Sequence, residues 1–263
     1  MNDLTIVIPI GVSTPGTPVI KYLKWCIESF KNQKTKYKFD VVFACDDNVS
    51  DEVKQILVES NYKVSWYDSY YFFRKGSIWK KIFDEWGKSE SKYVAFCHYD
   101  DVWSDDKVEN QIDHMMINDL ECSWSCVKVI DENNKVLTGD VSSSIGNSLS
   151  QETVKLGGSY AFSHSTILDK NKFLNCGIEK YIDISAAVYE SLHFVFCHKL
   201  KNSKNNNSIF FHRIHTHSVS NNLNRETKYK LDIAELVNYS SEQLKNDTSL
   251  IDIDSIIKGI YTE

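Results

Sequence analysis

Three short clusters in this chain combine residue types and spacings that can do chemistry. The first, Asp46-Asp47-Asn48-Val49-Ser50-Asp51, directly follows the apolar run Phe39–Cys45. Carboxylates there can cap and charge the start of a following helix, or one can accept a hydrogen bond from a nucleotide base. The second, His98-Tyr99-Asp100-Asp101, follows the apolar run Tyr93–Cys97. A carboxylate pair beside buried residues is costly unless it is solvated, capping a helix or bound to a cation. Oxygen ligands of this kind suit Mg2+ or Mn2+, which reach a protein through one or two carboxylates plus substrate phosphates. The third cluster, His212-Arg213-Ile214-His215-Thr216-His217, spaces three histidines at i, i+3 and i+5. They could ligate zinc, although no Cys or further His completes a set. Alternatively, His215 and Arg213 face a phosphate or the same divalent cation. Cys122 and Cys126 are the one close cysteine pair, and no second pair joins them in a zinc site.

The elements that must position these clusters can be read from hydrophobic runs. Thr5–Ile10, Phe39–Cys45, Lys63–Trp66 and Tyr93–Cys97 read as short strands, the first ended by a segment holding all three prolines. Between them, Val19–Asn32, Asp51–Ser60 and Ser77–Trp86 read as helices. Strand–helix alternation of this kind predicts a parallel α/β sheet. Ligands of open α/β sheets sit beyond the carboxyl ends of the strands, where the first two clusters fall. Further on, Asp105–Ile117 reads as a helix and Cys122–Ile130 as a strand running into the turn Asp131–Asn134. The serine- and glycine-rich stretch 139–159 reads as a mobile loop, and Ile184–Leu200 as a helix. Ser203–Ser208 reads as an asparagine-rich turn, Ile209–Ile214 as a last strand, and 222–263 as a polar helical extension.

Composition narrows the class. At 263 residues, with 42% hydrophobic and 25% charged residues, the chain is an ordinary globular one. A net charge of −6 argues against nucleic acid as a partner. No stretch approaches the roughly 18–20 apolar residues of a membrane span, and the N-terminus lacks a signal-peptide pattern. Seven scattered cysteines, mostly inside apolar runs, point to reduced thiols and a cytoplasmic location.

Taken in order, five segments resemble family-2 glycosyltransferases of the GT-A fold. They are Thr5–Pro9, Asp46–Asp51, Tyr93–Glu109 with its Asp100-Asp101-Val102-Trp103, Ser125–Val136, and Arg213-Ile214-His215 with Ser218-Val219-Ser220. The corresponding family elements read roughly V-S-V-I-I-P, V-D-D-G-S-T-D, Y-I-A-F-L-D-x-D-D-I-W, a following strand and turn, and R-I-H-x-x-S-x-S. The resemblance implies an α/β fold of GT-A type, with a mostly parallel central sheet and flanking helices. Its domain would span 1–221, with a nucleotide-sugar half at 1–110 and an acceptor half at 111–221.

By the same resemblance, Pro9 and Ile10 line the nucleotide pocket and Asp47, with Asp46 as the alternative, receives the base N–H. Arg74 lies near base and phosphates, Tyr99 near the ribose. Asp100, with His98 and His215, holds the Mn2+ or Mg2+ that bridges the donor diphosphate. His98 stands where the family has the first aspartate of its D-x-D element. The family's E-D pair before the long helix is absent in that form, which leaves Asp183 and Glu190 as candidates for the catalytic base. The implied activity is metal-dependent, inverting transfer of a sugar from a nucleotide-diphosphate donor, UDP-sugar favoured. Its acceptor would be a saccharide, lipid-linked or free, in surface polysaccharide or glycoconjugate synthesis at the inner membrane face or in the cytoplasm. The alternatives are a non-catalytic sugar-nucleotide or glycan binder of the same fold, and a nucleotidyltransferase. The latter usually needs a basic glycine-rich loop after the first strand, and Gly11–Gly16 contains no Lys or Arg.

Overall fold

The computed structural model describes residues 2–11, 18–68, 77–142, 162–177, 193, 197 and 199–216. The first half runs β1 (Leu4–Ile10), α1 (Val19–Lys31), β2 (Phe39–Asp46), α2 (Asp51–Glu59), β3 (Lys63–Tyr67), α3 (Ser77–Lys88) and β4 (Tyr93–Phe96). The second half runs β5 (Val102–Trp103), α4 (Lys107–Ile117), β6 (Cys122–Ile130), β7 (Val136–Asp140), α5 (Phe162–Ser165), β8 (Thr166–Asp169), α6 (Lys170–Leu174) and β9 (Asn202–Arg213). Among the described residues the strands make one sheet in the order β3-β2-β1-β4-β8-β6-β9-β5, with β7 paired to β6. Strands β3, β2, β1 and β4 are parallel. Antiparallel pairs enter with β8, which lies between β4 and β6.

Side chains of β1 alternate between two cores, as the two-residue period of a strand requires. Leu4, Ile6, Ile8 and Ile10 pack with Leu23 and Ile27 of α1, Val53 and Leu57 of α2, and Val108 and Ile112 of α4. On the opposite face α3 brings Trp79, Phe83 and Trp86 against Phe96 and Phe173. Pro9 is tolerated inside this central strand for a geometric reason. Cys97 N donates to Val7 O (3.1 Å), so Val7 bonds toward β4, whose pairing stops there; two residues on, Pro9 faces past the end of that strand. No ladder bond is lost to its missing N–H.

The first-half elements match the sequence reading to within a residue or two. The Ser203–Ser208 turn does not: it lies inside β9. Cys122–Ser125 pair in parallel with Asn202–Asn205, and after a register shift Cys126–Ile130 pair with Ile209–Arg213. The asparagines form a bulge rather than a turn. Asn205 Nδ2 donates to Asn110 O (2.6 Å), and its Oδ1 accepts from Asn207 N (2.7 Å). Strand pairing with β6 overrides local turn chemistry here. The sequence reading has no counterpart for strands β5, β7 and β8, and Gly139 and Asp140 belong to β7 rather than to a loop. Most of the 139–159 loop, most of the 184–200 helix and the 222–263 extension lie outside the described residues.

Candidate functional site

Helix capping competes for every acidic residue at the strand ends. The N-cap of α2 is Ser50, whose hydroxyl accepts from Val53 N, and its first-turn acids are Asp51 and Glu52. Asp46 and Asp47 are therefore not needed as caps. Helix α4 starts at Lys107 with Asp106 at the cap position, which releases Asp100 and Asp101 from that role as well.

Asp46 ends β2 and forms an ion pair with Lys81 Nζ at 2.5 Å; the lysine is only 2% exposed. A Cβ on Gly11 would come within 3.0 Å of Asp46 Oδ2, so glycine leaves that carboxylate its place beside the end of β1. Asp47 is exposed, and its backbone N–H is anchored on Tyr67 O (2.9 Å). Pro9 and Ile10 are buried at the same strand ends. A cleft of about 750 Å³ opens there between the starts of α1 and α2, lined by Ile10, Gly11, Lys24, Val49 and Val53 among others.

Beyond β4 the chain turns sharply, with Asp101 N donating to His98 O (3.2 Å). It then enters β5, which pairs Val102 with Phe211 and Trp103 with Phe210 of β9. That pairing sets His212 and Arg213 opposite the aspartate pair. Asp100 Oδ2 lies 3.1 Å from His215 Nε2, with the carboxylate side chain 18% exposed and the imidazole 2%. Tyr99 stands beside them half-buried, its phenol pKa pushed up by burial and then by Asp100. His98 is turned elsewhere: its ring stacks on His164 at 4.1 Å and 28°. The structure thus brings Asp100 and His215 together and sets His98 in a different contact.

Asp101 is fully buried. Its Oδ1 accepts from Arg213 N (2.9 Å) and contacts His212 Nδ1 (3.1 Å), while Oδ2 lies 3.5 Å from His164 Nδ1. Burial alone would raise its pKa, but the two imidazoles outweigh burial and hold the carboxyl well below the usual range. Arg213, expected as a candidate for a phosphate, is buried and structural. Its Nε donates to Asp100 O (2.7 Å), Nη1 to Asp131 O (2.7 Å) and Nη2 to Asn134 Oδ1 (2.6 Å). Its guanidinium also lies 4.8 Å from the ring centroids of Tyr22 and Trp25. One side chain so ties the Asp100 loop to the β6–β7 turn, where Asn134 takes a left-handed φ of 66°.

Cys122 and Cys126 are four positions apart on β6, which at strand rise separates them by roughly 13 Å. They cannot share an ion. Arg74, Asp183, Glu190 and His217 lie outside the described residues.

The profile of glycosyl transferase family 2 matches residues 6–174, from the first strand to α6. The chain belongs to that family. Its fold is of GT-A type and resembles solved structures of S. aureus TarS. The TarS 1–349 structure in complex with UDP superposes with a TM-score of 0.59 at 14% identity, over 81% of this chain and 61% of that one. A longer TarS structure gives 0.58 at 14% identity over 81% and 37%, and the TarS 1–349 complex with UDP-GlcNAc gives 0.58 at 13% over 81% and 59%. The family-2 chain therefore spans about three-fifths or less of the length of these TarS chains. No curated protein sequence matches it.

Two residues of the site escaped the sequence reading. Lys81 carries a weak signal: it and Glu85 are charges at i and i+4 among the apolar Trp79, Ile82, Phe83 and Trp86, and both are buried. His164 carries none, because β8 and α5 reach the site only through sheet pairing.

Proposed function

We propose that this family-2 chain transfers a sugar, with inversion, from a nucleotide-diphosphate donor to a hydroxyl of a saccharide acceptor. A UDP-sugar is the favoured donor, since two of the similar TarS structures hold UDP or UDP-GlcNAc. The observation that carries the reading is the placement of an exposed Asp47 and a paired, part-exposed Asp100 just past the ends of β2 and β4, the two strands that flank β1, with neither used as a helix cap.

In this reading Asp47 accepts the base N–H, and Pro9 and Ile10 wall the pocket. Asp100 and His215 would hold Mn2+ or Mg2+, to which a carboxylate oxygen and an imidazole nitrogen 3.1 Å apart are suited donors. Bound there, such a cation would supply positive charge that offsets the charge of the diphosphate leaving group. Asp183, or Glu190 seven positions further on, removes the acceptor proton as the hydroxyl attacks. Arg74 and Tyr99 flank the donor. All seven cysteines are free, which suits a reducing cytoplasmic setting, and no helix among the described residues is long and apolar enough to cross a membrane. The assignment of surface polysaccharide or glycoconjugate synthesis rests on the resemblance alone.

A second reading, a non-catalytic nucleotide-sugar or glycan binder, draws on His98. The first position of the D-x-D element contributes an aromatic stack on His164 where the family has a carboxylate. Incubation with UDP-sugars and Mn2+, with and without acceptor mixtures, separates the two. The enzyme releases UDP slowly without acceptor, stops in EDTA, and stops in Asp100→Ala with its fold intact. Nucleotide binding with no release under any condition would establish the binder.

A further inference from the structure

We propose that Asp101, His164 and His212 form a second, buried metal site that takes a divalent transition metal of the zinc class and serves the fold rather than the donor. The donor set is two imidazoles and one carboxylate, the nitrogen and oxygen ligands that zinc favours. Their ligand atoms all lie within 4.8 Å of one another. Tetrahedral ligands about 2.0–2.1 Å from zinc stand roughly 3.3 Å apart. The contacts of 3.1 Å from Asp101 Oδ1 to His212 Nδ1 and 3.5 Å from Oδ2 to His164 Nδ1 bracket that spacing.

The carboxylate supplies an independent reason. Asp101 is 0% exposed, and its Oδ2 accepts no hydrogen bond among the described residues. A buried ionised oxygen in that condition is costly, and the rule for such groups is a close cation or a full set of hydrogen bonds. Its other oxygen already serves Arg213 N and His212. His164 is 5% exposed and held by rings on both sides, stacked on His98 and edge-on to Phe96 at 4.9 Å. Packing of this sort fixes a ligand ring in orientation.

The three ligands also come from segments far apart in the chain: the turn after β4, helix α5, and strand β9. A single ion there cross-links the donor-side turn to the second half of the sheet. Structural zinc contributes folding energy in that way. The site is distinct from the Asp100–His215 pair, which uses the preceding carboxylate and the histidine three positions further on.

The test uses the full chain, stripped with chelator and then given Zn2+ or Co2+ alone, without nucleotide. The expected result is about one metal per chain retained through desalting, and visible d–d bands from Co2+ in a four- or five-coordinate protein site. Melting temperature should also rise with Zn2+ concentration. His164→Ala and His212→Ala should lose retention, bands and stabilisation, while Asp100→Asn and His215→Ala keep them. His212, at the less buried edge, gives the variant whose fold is least disturbed; the spectrum of the unaltered chain needs no variant. Failure of the unaltered chain to retain metal would overturn the site and leave the cluster as a set of ion pairs. Equal loss in Asp100→Asn would overturn it by moving the ion to the donor site, and retention in both His164→Ala and His212→Ala would show adventitious binding.

Discussion

Lys107 opens α4, immediately after the turn and β5 that lead from the aspartate pair, and replacing it with Met tests the cost of its burial. The side chain is 0% exposed. Its Nζ donates to Ser165 O (2.9 Å) and to Gln111 Oε1, and lies 4.3 Å from the Trp103 ring centroid. Burial lowers its pKa from 10.5 to about 7. At about 1.4 kcal/mol per tenfold change in proton affinity, that gap amounts to a penalty of about 5 kcal/mol when both states carry the proton. The sign follows from linkage. Between pH 7 and 10.5 the unfolded chain binds this proton and the native chain does not, so the group makes stability rise with pH across that window. From pH 7 to pH 9 the rise is about 2 kcal/mol, because native Lys107 is still half protonated at the lower end. Buried thiols act oppositely above about pH 8.5, where the unfolded cysteines ionise, so the informative quantity is the difference between the two chains. Lys107→Met keeps most of the volume, and Ser165 O keeps its bond from Gln111 Nε2 (3.1 Å). Urea unfolding followed by tryptophan fluorescence at pH 7, 8 and 9 should show the unaltered chain gaining about 2 kcal/mol on the variant. A difference that stays constant over those three pH values refutes the reasoning and means that Lys107 is charged in the native state throughout.

Three further outcomes are expected. Asp47→Ala should weaken binding of free UDP by about 1–3 kcal/mol, the range for losing a hydrogen bond to a buried group; unchanged affinity by titration calorimetry removes Asp47 from the nucleotide site. Asp183→Asn should lower turnover about 10²–10⁴-fold with donor binding preserved, the usual share of general-base catalysis; loss of turnover in Glu190→Gln instead would move the base to Glu190. His193, fully buried, has its pKa lowered to about 3, first by burial and then by His164. The unfolded chain therefore takes up a proton that the native chain refuses, and stability present above pH 6.5 falls by up to about 1.4 kcal/mol per unit on acidification. His193→Gln should flatten the stability profile between pH 6.5 and 4.5, and an equal slope in both chains would contradict the assignment.

The parallel half of the fold was legible in the sequence because its signals are local. Apolar runs of four to eight residues, separated by stretches of helical periodicity, specify strands and crossovers without reference to anything distant. The carboxylates at the strand ends were legible for the same reason: Asp46, Asp47, Asp100 and Asp101 each follow directly on an apolar run. What the sequence left open was which of them cap helices, and tertiary structure decided that by placing Ser50 and Asp106 at the cap positions, with only Ser50 accepting a side-chain cap bond of the two. It also decided the partners. Asp46 meets Lys81 across the sheet edge, and Asp101 meets His164 and His212 through the β8 and β9 pairings. Such contacts join residues up to 111 positions apart, and no periodicity encodes them. The asparagine run at 203–208 shows the same limit from the other side. Its local preference is a turn, yet the edge of β6 offers hydrogen bonds on either side of it, and the run is absorbed as a bulge in β9. Arg213 is the sharpest case: its type fits a phosphate ligand, and only the packed structure shows it buried with its donors already committed to Asp100 O, Asp131 O and Asn134.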